Sequence, residues 1–297
     1  MWRLHVLWFV CTCSLCADHE LTNRTAPLQN CDALRVTPCD PLRWQIEPAY
    51  SKGIVVRGVT LKDSPFWALH LYACDNVLVE GVTVTAPVWS RNTDCIDPDS
   101  STNVLIRNCT LSGGDDQIAI KSGQDAAGRS FGRPSANITV EDINIPHGDG
   151  LSIGSEMSGG VFNVTFRRIK FGYVLHPLRI KTGYGRGGSV YGVLFEDIEL
   201  ASLGQLAGTA ITVNEFDGNI KPNASHARAG WPAVGDVTFR NVRGGALTAG
   251  VLTCIPERPC IGIHLENVSI TSIKGFDCSH VSGTNAGVVR PTSCISK

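Results

Sequence analysis

Eight segments of the chain repeat one pattern of apolar and polar positions. A Val or Ile is followed by a free position, an apolar residue, two mostly polar positions, a second Val or Ile, a free position and usually another apolar residue. The copies are IVVRGVTL (54–61), VLVEGVTV (77–84), VLIRNCTL (104–111), ITVEDINI (138–145), VTFRRIKF (164–171), VLFEDIEL (193–200), VTFRNVRG (237–244) and IHLENVSI (263–270), with Cys109 standing in for the second Val or Ile of the third. Their starts lie 23, 27, 34, 26, 29, 44 and 26 residues apart, so the strands are constant and the loops vary. The apolar residues alternate and are mostly β-branched, which predicts strands of period two rather than helical turns. A single short strand that recurs once per circuit cannot pair with the next through a tight antiparallel turn. It stacks in parallel, each coil burying its apolar face on its neighbour. Further strand-like runs, WALHLYA (67–73), QIAIKS (117–122), GLSIGS (150–155), LRIKTG (178–183) and AITVNE (210–215), give the coils another sheet. Gly, Asn and Asp supply the corners. The pattern predicts an all-β, single-domain parallel β-helix over residues 51–297, led in by an irregular segment, 18–50.

Composition fits a chain with a large core: of 297 residues, 43% are apolar and 18% charged. Lys and Arg (26) nearly balance Asp and Glu (27), which argues against a protein built for non-specific binding to nucleic acid or an acidic membrane. Any charged partner must be met locally. Residues 1–17, a single Arg3 followed by an apolar run to Cys16 and Ala17, resemble a secretory signal peptide, and no later stretch has the 18 or so apolar residues that span a bilayer. Twelve cysteines without recurring Cys-x-x-Cys pairs point to disulfides rather than zinc. Cys31 with Cys39, Cys254 with Cys260 and Cys278 with Cys294 are the local pairs, and the nine cysteines after residue 17 leave at least one free thiol. Asn-x-Ser/Thr sequons stand at Asn23, Asn108, Asn137, Asn163, Asn223 and Asn267. Asn76, Asn103, Asn137 and Asn163 directly precede the first Val or Ile of a copy, so a stacked turn ladder explains Asn137 and Asn163 as well as a glycan does.

Stacking brings residues that are distant in sequence to within the strand spacing of about 4.8 Å. Asn92-Thr93-Asp94, Gly113-Gly114-Asp115-Asp116, His147-Gly148-Asp149-Gly150 and Arg179-Ile180-Lys181 each fall at or just before the second strand of successive coils. Asp94, Asp115 and Asp116 should therefore cluster, with Arg179 and Lys181 at the end of the row. Crowded carboxylates repel, at least one pKa rises, and one site can then hold a protonated acid beside an ionised base. Glycoside hydrolysis needs such a pair: an acid for the leaving oxygen and a carboxylate for water, about 6.5–9.5 Å apart in inverting enzymes. Corner Asp residues can also be plain turn formers, the reading preferred for Asp97 or Asp99 alone, and a metal-binding carboxylate cluster is the other competing reading.

At these residues the chain resembles the glycoside hydrolase family that contains polygalacturonases. NTDCIDPDSS (92–101), GGDDQIAIKSG (113–123), GDGLSIGSEMSGG (148–160) and RIK (179–181) look like that family's Asn-Thr-Asp, Asp-Asp, Gly-His-Gly and Arg-Ile-Lys motifs, in order. The resemblance implies a right-handed parallel β-helix and an inverting mechanism. Asp115 would be the general acid, and Asp94 and Asp116 would hold and activate water. Arg179 and Lys181 would bind a galacturonate carboxylate, with Asn92 also on the substrate side. It further implies a secreted, monomeric enzyme acting on an acidic polysaccharide, pectin or polygalacturonate, with no cofactor and no metal, and the SIGSEMSGG stretch looks more like the exo-acting and plant-type branches. A rhamnogalacturonan or xylogalacturonan hydrolase, or a non-catalytic polysaccharide-binding β-helix, are the alternatives.

The resemblance departs at three places. With GLSIGS held in register, Asp149 takes the place of the family's His while His147 lies two residues earlier, so His147 reaches the site through a bulged corner, an acidic residue serves there, or His147 is a plain solvent-exposed residue. Gln117 and Cys95 replace a frequent Cys and the usual Gly. Family members usually carry about a hundred more residues ahead of Ser51, so the sequence is expected to be short at its N-terminal end.

Overall fold

The computed structural model describes residues 34–35, 44–201, 207–217 and 228–295. The signal-peptide reading of 1–17, most of the lead-in, the Cys31–Cys39 pair and the sequons at Asn23 and Asn223 lie outside them.

The chain winds into a parallel β-helix, in which seventeen strands form one continuous parallel sheet. All eight copies of the repeat stack in the register their pattern dictates. Ile54, Val77, Val104, Ile138, Val164, Val193, Val237 and Ile263 pair in turn down the solenoid. Inside, Phe166, Phe195 and Phe239 stack with ring centroids 4.8 and 5.0 Å apart. Each such fully buried large side chain contributes about 1.5–3 kcal/mol of transfer free energy.

The two polar positions of the repeat have separate physical roles. The first carries Arg57, Glu80, Arg107, Glu141, Arg167, Glu196, Arg240 and Glu266, and register pairs each with a neighbour of opposite sign. Contacts include Arg57 Nε–Glu80 at 2.7 Å, Arg167 Nη2–Glu141 at 2.6 Å and Arg240 Nε–Glu266 at 2.6 Å. Like charges directly opposite one another destabilise a sheet, so the alternation favours this register. The second position turns the corner in the left-handed region: Gly58, Gly81, Asn108, Asp142, Arg168, Asp197, Asn241 and Asn267 all have φ between 53° and 63°. Gly, Asn and Asp tolerate that conformation; Arg168 is held there by hydrogen bonds to Asp142 and Glu141, both at 2.8 Å.

The sequons at Asn137 and Asn163 sit in a second corner ladder. Asn137 Nδ2 donates to Asn103 Oδ1 at 3.1 Å, and Asn163 Nδ2 to Asn137 Oδ1 at 2.8 Å. Cys254–Cys260 and Cys278–Cys294 form two of the three anticipated disulfides, while Cys74, Cys95 and Cys109 are buried free thiols.

The second strands stack as Leu69–Tyr72, Ile96–Asp99, Asp116–Ile120, Gly150–Ile153, Leu178–Lys181 and Ala207–Asn214. Leu69, Ile96, Ile118, Leu151, Leu178 and Ile211 fall in register and are wholly buried in the core. Period two then turns the residues that follow them, His70, Asp97, Ala119, Ser152, Arg179 and Thr212, to the outer face of this sheet.

Three features depart from the sequence pattern. Residues 45–49 join this second stack, with the N–H groups of Gln45 and Ile46 donating to Trp67 and Ala68 at 3.0 and 2.9 Å, so the end of the lead-in is regular. Val281–Arg290 adds a further strand on Cys260–Ser279. It lacks the repeat's apolar alternation, and most of its residues are exposed. A short helix, Asp125–Phe131, closed by Gly132 at φ 59°, follows the Asp116–Ile120 strand. No helix among the described residues is long and apolar enough to cross a membrane.

Candidate active site

The carboxylate row is assembled by a pinched corner. Loop 87–94 runs directly against Gly113 and Gly114: a Cβ on Gly114 would collide with the Ser90 carbonyl, and one on Gly113 with that of Thr93. Thr93 Oγ1 locks the contact, accepting from the Gly114 N–H at 2.8 Å and donating to the Ser90 carbonyl at 2.7 Å. As a result, carboxylate oxygens of Asp94, Asp115 and Asp116 come within 4.8 Å of one another, closer than the separation of about 6.5–9.5 Å expected of an inverting pair.

Each carboxylate has a distinct environment. Asp116 is buried, yet Ser152 Oγ donates to it at 2.7 Å, Arg179 Nη2 at 2.6 Å and Lys181 Nζ at 3.0 Å. Burial pushes its pKa up, but Lys181 and Arg179 outweigh this and hold it below the ordinary carboxylate range. Asp115 is half-buried and accepts the backbone N–H of Asn92 at 3.2 Å. Burial, followed by the neighbouring Asp116 charge, raises its pKa. Asp94 is buried, and burial lifts it to about 7; Lys121 opposes that rise, while Asp116 and Asp115 add to it. One pKa is lowered and two are raised within a single cluster, which is the division of labour that acid/base catalysis requires.

Arg179 ties the row together. Its Nε donates to Ser152 Oγ at 3.0 Å, and Nη2 reaches both Asp116 at 2.6 Å and Asp149 at 2.5 Å. Asp149 is thus part of the row, and its other oxygen meets His176 Nδ1 at 2.8 Å. His147 stands apart. It lies next to last in the Ser135–Gly148 strand, opposite Tyr173, its Nδ1 is buried without a partner, and among the described residues it makes no hydrogen bond to the row. Gln117 fills the corner between them: its Nε2 donates to the Asp115 carbonyl at 2.7 Å and its Oε1 accepts from Gly150 N–H at 2.8 Å. Asn92 contributes through its backbone, at φ 54°.

Three residues of the site were not singled out in the sequence. The buried Lys121 ammonium lies 3.4 Å from Asp94, 4.0 Å from Asp97 and 3.2 Å from Glu156, and 4.3 Å from the Trp67 ring centroid. Burial alone would lower its pKa; Asp97 and Asp94 raise it instead. Strand parity was the available signal, since Lys121 falls on the outward set of QIAIKS. Glu156 had no signal. His176 lies three residues before Arg179, within reach of the same corner. The Asp94–Asp115–Asp116 oxygens also have the spacing of a metal cage, but Lys121, Arg179 and Lys181 already supply the positive charge around them.

The solenoid agrees with comparisons to known proteins. The family model described as glycosyl hydrolases family 28 matches residues 32–294, and the chain belongs to that family. A probable polygalacturonase of Vitis vinifera is 34% identical over 260 residues, 84% of this chain and 52% of the relative. A polygalacturonase of Chamaecyparis obtusa is 32% identical over 84% of this chain and 44% of its own length. Among solved structures, an exopolygalacturonase from Thermotoga maritima superposes with a TM-score of 0.64 at 28% identity, covering 80% of this chain and 55% of that one. The chain therefore spans about half the length of the curated relatives it matches.

Proposed function

We propose that the chain is a pectin-degrading hydrolase that cleaves α-1,4 bonds between galacturonic acid units by an inverting acid/base mechanism. The observation that carries this reading is the Asp94–Asp115–Asp116 cluster, in which Asp116 is pinned and ionised by Arg179 and Lys181. Asp115, the partly exposed carboxyl with a raised pKa, donates a proton to the leaving oxygen. Asp116 and Asp94 hold a water on the opposite face and take its proton; the inverting outcome is carried over from the family resemblance, since the oxygens lie closer than the usual inverting separation. Lys181 and Arg179 line the outer face of the sheet, where a uronate carboxylate can be met by cations. The acidic polysaccharide is the partner, the working form is a monomer, and the two disulfides suit an extracellular location.

We favour an exo mode of attack. On the two coils that carry Asp94 and Asp116 the outward residues Asp97, Asp99 and Lys121 are buried, as is His70 on the coil before them, with Trp67 beside His70 and Lys121 and Trp44 stacked on His70. On the coil after it, Arg179 and Lys181 remain partly exposed. A groove covered on one side of the reacting row admits a chain end more readily than a chain middle.

Sizing the products released from de-esterified polygalacturonate tests both parts. Monomer alone is expected. A ladder of oligomers would refute the exo mode. Products from xylogalacturonan or rhamnogalacturonan but none from polygalacturonate would change the substrate class, and binding with no product from any of them would make the chain a polysaccharide-binding β-helix.

A further inference from the structure

Asp115, Asp149 and His176 form one column across three successive coils. The Asp149 N–H donates to the Asp115 carbonyl at 3.1 Å, and the His176 N–H to the Asp149 carbonyl at 2.6 Å. The backbone beneath His176 is tightly fixed, because Gly150 packs so closely on the His176 carbonyl that a Cβ there would overlap it. The side chains repeat the order of the backbone. Asp149 Oδ2 takes the Arg179 guanidinium at 2.5 Å, leaving Oδ1 for His176 Nδ1 at 2.8 Å. At that distance from a carboxylate, Nδ1 carries the hydrogen. Arg179 Nη1 lies 3.3 Å from the same nitrogen and can only be a flank, since both groups are donors.

The ring orientation follows from these contacts. With Nδ1 committed to Asp149, Nε2 lies on the far edge of the imidazole, where no protein partner meets it among the described residues, and the side chain is 37% exposed. A carboxylate that fixes one ring nitrogen while the other faces solvent beside a reactive row prepares the ring for a ligand. Two coils of about 4.8 Å separate His176 from Asp115 along the axis, so the ring addresses a sugar beside the scissile bond rather than the bond itself.

We propose that His176 is a substrate-binding residue of this chain, oriented by Asp149 so that its Nε2 hydrogen-bonds the uronate unit next to the one being cleaved. This rests on the uronate-hydrolase reading above. Nε2 accepts from a sugar hydroxyl in the neutral ring and donates to a uronate carboxylate in the imidazolium. Asp149 serves as the positioning residue, coupling this contact through Arg179 to Asp116.

The test is His176→Gln, assayed on de-esterified polygalacturonate and by calorimetric titration with tri-galacturonate. KM is expected to rise about tenfold, the scale of one hydrogen bond to a charged group, with kcat within about twofold. Unchanged KM, or a loss confined to kcat, would overturn the substrate contact. If the unsubstituted chain hydrolyses no polygalacturonate, the hydrolase reading fails by itself, and the titration still decides: about tenfold weaker tri-galacturonate binding in the variant supports the contact, equal binding overturns it. Should His176→Gln lose cooperative thermal unfolding, His176→Asn is read by the same criteria.

Discussion

Arg179 Nη2 lies 2.6 Å from Asp116, so the guanidinium expected to anchor substrate also holds a carboxylate proposed to activate water. Removing it leaves a buried Asp116 charge with Lys181 and Ser152 as its remaining partners. Arg179→Ala is accordingly expected to lower kcat by about 10²-fold as well as raise KM, and to cost about 3 kcal/mol of stability, the scale for breaking a buried pair. Steady-state kinetics and urea unfolding check this. A rise in KM with kcat and stability unchanged would restrict Arg179 to the substrate.

Lys121 lies 3.4 Å from Asp94 and opposes the burial that lifts Asp94 to about 7. In its proposed role Asp94 takes the water's proton and must be ionised, so kcat/KM should fall on the acid side of about pH 7. Lys121→Gln removes the opposing cation, so Asp94 holds its proton more tightly and this acid limb should move up by roughly one pH unit. Asp116 stays ionised well into the acid range and adds no limb there. A pH–rate profile whose acid limb is unmoved, or moves down, in Lys121→Gln would contradict this electrostatic account.

Glu215 is buried, its Oε1 has no partner, and burial raises its pKa to about 8. A carboxyl of ordinary pKa near 4.3 in the unfolded chain and about 8 in the folded one binds its proton more tightly when folded. Its contribution to stability is full below pH 4.3 and lost progressively as pH rises to 8, by on the order of a few kcal/mol. Urea unfolding at pH 5 and pH 8 should show this loss in the unsubstituted chain and a smaller one in Glu215→Gln. Equal losses would contradict it.

Glu141 sits between Arg107 and Arg167 in the alternating ladder and also meets Arg168 at 2.8 Å. Glu141→Lys would place like charges on successive rungs. A loss of about 1–2 kcal/mol is expected, larger at low salt, since the arginines that Glu141 meets are half-exposed and salt screens them. Thermal unfolding at two salt concentrations reads it, and a salt-independent loss would point to packing instead.

The solenoid was legible because stacking imposes one periodic rule on every coil, and Val77, Val104, Ile138 and Val164 all obey it. The charge alternation from Arg57 to Glu266 was also in the sequence, but it shows only when the copies are aligned as rungs. The carboxylate row was legible because the corners recur at matching points. The Ile96–Asp99 strand was not picked out, since Asp97-Pro98-Asp99 reads as a turn until the coils on either side supply its pairing. Glu156 and His176 reach the row through loop paths between coils, where no periodicity constrains the sequence. At the third motif Asp149 meets Arg179, while His147 makes no hydrogen bond to the row among the described residues.

The central assignment is Asp115 as general acid, and Asp115→Asn tests it most directly. The amide keeps the shape and can still accept the Asn92 N–H, but has no acidic proton to deliver. Turnover of polygalacturonate is expected to fall by at least about 10²–10⁴-fold, with tri-galacturonate binding and thermal unfolding unchanged. Turnover equal to that of the unsubstituted chain would contradict the account.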